Sequence, residues 1–195
     1  MRARRIVTIA FVAFVCAAIL YAGWGKPGPN NFEAAFQPGG EVVMDLSIGG
    51  FTIRGTSENK ISVEVSQSDL SSVHSQVTVN GNQGKVRLEG PSDNFKATIY
   101  VPQNSNLRVN QTIGELRVEG VDGDKHLNLN IGEIRVPAPG PDAMKTVDVS
   151  VKIGEVHADA WHRGNGGFFP SFHFSGKGQH SVSAIVDIGQ VQLTN

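Results

Sequence analysis

The sequence predicts an all-β fold: a right-handed β-solenoid behind an N-terminal hydrophobic segment. Three observations predict it. A short motif built on Ile-Gly recurs along the chain. Apolar and polar residues alternate on either side of each copy. No segment beyond the leader shows a helical period. An antiparallel β-sandwich is the alternative architecture.

The leader comes first in the chain. Arg2, Arg4 and Arg5 precede an apolar run from Ile6 to Gly23, broken only by Thr8. This is a positive n-region followed by a hydrophobic h-region. Cleavage after Ala18 or Ala22 would release it. If retained, the 18-residue run is just long enough to span a bilayer at about 1.5 Å per residue, with Trp24 at the far interface. Either fate leaves the arginines inside and exports the rest to the periplasm or cell surface. Cys16 follows Phe14 and Val15, whereas a lipoprotein acceptor wants a small residue before it, so it reads as an apolar residue of the run. Residues 1–24 are therefore a signal peptide or signal anchor. Residues 25–31, rich in Pro, Gly and Asn, are a linker. Residues 32–195 form one β domain.

The motif copies lie at residues 46–53, 112–118, 130–136, 152–158 and 187–193, with a degenerate copy at 83–88. Their glycines are Gly49, Gly84, Gly114, Gly132, Gly154 and Gly189. The shorter spacings, 18 and 22 residues, suit one solenoid coil, and the longer ones a coil with an insertion. Leu127, Leu129 and Ile131 alternate with polar residues, as on a strand with one buried face. Ile134 and Val136 continue the apolar set, but three residues separate Ile131 from Ile134. Strict alternation would send Ile134 to the other face, so the chain must turn or bulge at Gly132-Glu133, where glycine tolerates positive φ. A two-residue hairpin turn would also satisfy this slip. The solenoid is favoured because its copies stack in columns. The column two residues after the glycine reads Phe51, Val86, Leu116, Ile134, Val156, Val191. The column before it, Ile48, Ile113, Ile131, Ile153 and Ile188, is expected to be a core ladder.

Composition narrows the function class. Without the three leader arginines, 14 basic residues face 18 acidic ones, which argues against a sequence-blind nucleic-acid binder. One cysteine excludes an intrachain disulfide framework and a cysteine-based zinc cluster.

Several segments together carry a family resemblance. They are Phe36-Gln37-Pro38-Gly39-Gly40, the run Val42 to Gly55, Ile99-Tyr100-Val101-Pro102, Ile113-Gly114-Glu115-Leu116, Gly176-Lys177-Gly178 and Ile188 to Leu193. In order and number they resemble the bacterial putative-adhesin domain of unknown function, a relative of the head-GIN adhesins. The resemblance covers about residues 32–195. It implies a single-stranded, right-handed β-helix-like fold in exported or anchored proteins, and brings no catalytic motif. The stretch from Trp161 to His173 is richer in aromatics and histidine than that pattern.

The remaining constellations have ordinary readings. One residue after each glycine stand Lys85, Glu115, Glu133, Glu155 and Gln190. Three after stand Arg87, Arg117, Arg135, His157 and Gln192. A binding face for acidic or sugar polymers is one reading; a solvated face of weak ion pairs is favoured. Glu115, Glu133 and Glu155 have nearly the carboxylate spacing of a polysaccharide-cleaving enzyme, but share one repeat context that would not split their pKa values. His157, His162, His173 and His180, with Asp159, lack a metal-binding spacing. Phe168, Phe169, Phe172 and Phe174, with Trp161 nearby, form either a packed cap or an interaction patch for a partner, glycan or membrane. The expectation is a non-enzymatic cell-envelope protein, an adhesin-like binding module without cofactor or metal. Its partner would be an envelope polymer or protein, not nucleic acid, with membrane contact through the N-terminal segment if that is kept. An envelope scaffold is the alternative, and a polysaccharide-cleaving β-helix enzyme a further one.

Overall fold

A computed structural model describes residues 31–66, 70–91 and 94–195. The leader, and the linker through residue 30, lie outside the described residues. Asn31, assigned to the linker, is instead hydrogen-bonded to the domain: its backbone N–H donates to the Ser75 carbonyl at 3.0 Å. No helix among the described residues is long and apolar enough to cross a membrane.

The chain is all-β. In order it forms β1 (Glu33–Ala35), β2 (Glu41–Thr56), β3 (Lys60–Val65), β4 (His74–Asn80), β5 (Gln83–Glu89) and β6 (Lys96–Pro102). Then come β7 (Asn106–Glu119), β8 (Lys125–Pro137) and β9 (Met144–Ala158). A 3₁₀ turn (Asp159–Trp161) leads to β10 (Arg163–Phe168), β11 (Ser171–Ser175) and β12 (His180–Thr194). These strands join in one mixed sheet. Its centre is parallel, in the order β2, β7, β8, β12, β9. β5 and β6 pair in parallel with the first and second parts of β2. Antiparallel strands flank this centre: β3 on β6, β4 on β5, and β10 and β11 on β9.

The long strands must bend. Glu119 ends β7 and Lys125, six residues on, begins β8 opposite Leu107. Six residues reach at most about 21 Å. A straight β7 would be about 45 Å long at about 3.3 Å per residue, and a parallel neighbour would then need a crossover of about a dozen residues or more. Bending brings the strand ends together. The bend falls at the repeat glycines, where φ is 154° at Gly49, 127° at Gly114, 137° at Gly132, 142° at Gly154 and 140° at Gly189. The strand runs on through each bend, with Ile131 opposite Ile113 and Ile134 opposite Leu116, so Gly-Glu is not a hairpin turn.

Both parts of each strand face one core. Leu127 and Leu129 before the bend, and Ile134 and Val136 after it, are buried together. The column of Phe51, Leu116, Ile134, Val191 and Val156 is buried throughout; Val86 is buried too but lies opposite Met44, outside that column.

The sequence reading needs three corrections. First, the isoleucine column is not core. Ile48, Ile131, Ile153 and Ile188 are exposed and Ile113 is partly exposed. The slip in alternation begins earlier than expected, after Leu129, so Asn130 and Ile131 both face outward on the convex side of the bend. Second, Gly84 does not belong to the bend column. It pairs with Val42, not Gly49, and its φ is not positive. A Cβ there would strike Ile61. On that level the Phe95 carbonyl lies against Gly49. Third, spatial order departs from chain order: β12 inserts between β8 and β9.

Candidate binding site

The aromatic-rich segment forms the far end of the sheet. After β9 the 3₁₀ turn reverses the chain. His162, in the left-handed region at φ 51°, completes the reversal. β10 then runs back along the second part of β9, and β11 along the first. The segment thus follows β9 round its bend, with Phe168-Phe169-Pro170 at the corner.

This geometry splits the aromatics into two groups. Trp161, Phe172 and Phe174 turn inward and pack on the core, partly buried. The indole lies 5.3 Å from the Phe172 ring and 5.5 Å from the Phe174 ring, tilted to both. Phe168 and Phe169 point out, 79% and 76% exposed. The cap reading thus fits Trp161, Phe172 and Phe174, while Phe168 and Phe169 stand exposed. Period-2 alternation marked Phe172 and Phe174 as inward; nothing in the sequence separated Phe168 and Phe169 from them.

A cavity of about 600 Å³ opens beside the inward group. Trp161, Phe172 and Phe174 supply its apolar wall, and Arg163, Asn165 and His173 its polar one. The Trp161 Nε1–H is buried with no acceptor among the described residues. A buried unmatched donor of this kind costs about 1–3 kcal/mol. His173 is held by Asp148 through Nδ1, and Asn165 donates to the Ser171 carbonyl at 3.3 Å. The lining is mixed, slightly more polar than apolar.

The charged columns lie elsewhere. Glu115, Glu133, Gln190 and Glu155 share one level across β7, β8, β12 and β9, with Arg117, Arg135, Gln192 and His157 two residues on. The ion pairs form mainly within strands: Arg117 to Glu115 at 2.8 Å, Arg135 to Glu133, and His157 to Glu155 at 2.8 Å. Arg135 also reaches Glu115 on β7, at 3.9 Å. Lys85 and Arg87 are not in these columns; they pair with Asp45 and Glu89. Burial pushes the Glu133 carboxyl up, but hydrogen bonds from Arg135 and Gln190 and the charges of Arg135 and Arg117 outweigh it and hold it below the usual range. A general acid needs the opposite shift. None of the three glutamates lines the cavity. The histidines do not converge, and no group of three or more His, Cys, Asp or Glu among the described residues could hold a metal ion.

Sequence reasoning missed one buried ionisable residue. Lys125 starts β8 at a core level, opposite Leu107 and Val182, and is 4% exposed. Its ammonium donates to the Gly123 carbonyl at 2.8 Å. Its position just before the alternating Leu127 and Leu129 was the available signal.

No family model and no curated protein matches the sequence. Solved structures do match. A crystal structure described as a putative cell adhesion protein from Clostridium sporogenes aligns with 83% of this chain and 96% of its own, at a TM-score of 0.52 and 12% identity. The two chains share a fold. A putative adhesin from Bacteroides fragilis aligns over 83% of this chain and 95% of its own, at a TM-score of 0.30 and 8% identity. One from Parabacteroides merdae covers 57% and 58%, at 0.26 and 12%. These last two likenesses are too slight to bear on architecture or function.

Proposed function

We propose that this chain is an exported, non-enzymatic binding module of the cell envelope, adhesin-like in the sense of the family its motifs resemble. In this reading the bent, parallel-paired repeats are the coils of a β-solenoid, and the leader delivers or anchors it. The observation that carries the proposal is the cavity walled by Trp161, Phe172 and Phe174, with Arg163, Asn165 and His173 around it. Aromatic faces pack on the C–H surface of a sugar, and the polar groups match its hydroxyls. The ligand is an envelope glycan. The fold shared with a protein described as a putative cell adhesion protein supports this reading.

Binding of residues 31–195 to immobilised envelope polysaccharides tests it. Trp161→Ala should weaken retention about tenfold or more, since aromatic anchors dominate such sites. Glu133→Gln should leave retention unchanged. Retention unaffected by Trp161→Ala, or turnover of the glycan lost on Glu133→Gln, would overturn it.

A further inference from the structure

We propose that a second copy of this chain pairs with the edge formed by β10 and β11, in a closed two-fold dimer. Among the described residues, β10 and β11 have β9 on one side and no strand on the other. The edge runs 13 residues, from Arg163 to Ser175. Edges that stay single are shortened, charged or covered. This one is broken at Phe169-Pro170 into strands of six and five residues, but its only ionisable groups are Arg163 and His173, and every residue of β10 is exposed.

Exposed apolar side chains follow the bends to this edge, with Ile113 on β7 only partly exposed. Along the bends, exposure is 36% at Ile48, 43% at Ile131, 48% at Ile188 and 46% at Ile153, then 79% at Phe168, which pairs with Ile153. Phe169 extends it. Its φ of 57° is the left-handed region that residues with side chains avoid, so the backbone holds the second phenyl out against its own preference. A partner copy related by a two-fold axis would continue the ridge with its own Phe168 and isoleucines.

The opposite end of the sheet is closed. Asn31 covers β4 with its backbone N–H on the Ser75 carbonyl at 3.0 Å. Its side-chain amide donates to the Val77 carbonyl at 2.7 Å, and its Oδ1 accepts from the Val77 N–H at 2.9 Å. β1, at the end of the strand order, is three residues long and carries the Glu33–Lys60 ion pair. One open end and one closed end exclude head-to-tail growth. A second copy pairing through its own open end completes both edges at once, so pairing stops at two. A strip about 43 Å long and about 10 Å thick, with two largely exposed phenyl groups, offers about 700 Å² per copy. A standard interface takes about 800 Å² per partner.

Cysteine cross-linking of the full-length chain in its membranes tests this. In a Cys16→Ser background, single cysteines replace Arg163, Asn165, Phe168, Phe169, Ser171 and His173 in turn, with Glu33→Cys as the closed-end control. Two-fold antiparallel pairing brings a residue onto its own copy only near the axis. Oxidation should therefore give a disulfide-linked dimer that peaks at one position and falls on both sides, with none at Glu33→Cys. Adding whichever of Phe168→Asp and Phe169→Asp the peak position leaves open should cut the dimer about fivefold or more, as loss of central aromatic anchors does. No dimer at any of the six positions, equal yield at the control, or yield unchanged by the aspartates would overturn the proposal. So would protection of Phe168→Cys from oxidation by phosphatidylglycerol vesicles, which would give the phenyl pair to a lipid surface instead.

Discussion

Gly114 and Gly132 lie side by side at the bends of β7 and β8, and the Gly114 carbonyl oxygen occupies the place where a Cβ on Gly132 would project. The relationship repeats along the sheet. A Cβ on Gly114 would strike the Gly49 carbonyl, one on Gly189 that of Gly132, and one on Gly154 that of Gly189. Two separate demands thus fall on one residue type. The bend needs a positive φ, and close stacking of bends needs a missing side chain.

Gly132→Val should accordingly be among the most damaging single changes. The backbone conformation alone costs about 1–3 kcal/mol for a residue with a side chain. The obstacle in the way of the Cβ is backbone on a paired strand, which cannot swing aside, so the total should reach about 3 kcal/mol or more. Chemical denaturation of residues 31–195 measures it. A loss under about 1 kcal/mol would mean that the bend can relax.

The isoleucine beside that glycine should matter less. Ile131 is 43% exposed. Its truncation forfeits part of the burial of one side chain, so Ile131→Ala should cost about 1 kcal/mol. Ile134 is fully buried, and Ile134→Ala should cost about 2–5 kcal/mol through the cavity it leaves. Equal losses from the two variants in the same denaturation experiment would contradict this ordering.

The contrast between Ile131 and Ile134 marks how far the sequence was legible. Periodicity of two on either side of each glycine located the strands, and the odd spacing across the glycine required a bend. What it misplaced was the phase change, expected at Gly132-Glu133 and found after Leu129, because an isoleucine fits both the core and the convex side of a bend. Apolar residue type alone does not report facing. The degenerate copy at Gly84 failed differently. Its local pattern matches, but pairing with Val42 is a non-local fact. The insertion of β12 between β8 and β9 is likewise non-local. At the binding site, the aromatic cluster stood out in composition. Its division into Trp161, Phe172 and Phe174 against Phe168 and Phe169 depends on where β10 and β11 break at the bend of β9.

Glu133 should show a small, pH-dependent effect. Its carboxyl is held below the usual range in the folded state, so its contribution is present above its unfolded value, near 4.5, and is lost as pH falls through the folded value. Glu133→Gln should cost under about 1 kcal/mol at neutral pH, as for other surface pairs. The gap between the two proteins should close as pH falls below 4.5. Denaturation midpoints at pH 7 and pH 3 test this; a gap that widens in acid would reverse the sign.

Lys125 should move the stability curve at the other end of the pH scale. Burial pushes its ammonium below the ordinary value of 10.5, against the attraction of Asp122 and Asp124. The folded state then binds that proton less tightly than the unfolded chain. Below the folded value both states are protonated and the cost of burying the charge is felt in full. Between the folded value and 10.5 the unfolded state holds more protons, so stability rises with pH. Lys125→Met removes that rise. At neutral pH two effects of similar size oppose each other. Relief from burying the charge stabilises the variant, and losing the bond to the Gly123 carbonyl costs about 1–3 kcal/mol. The difference between wild type and variant should therefore be modest at pH 7. It should grow in favour of the wild type as pH approaches 10, where the deprotonated amine is no longer a buried charge. Paired denaturation curves across that range decide the matter. A constant difference would mean that the Lys125 ammonium reaches water in the folded protein.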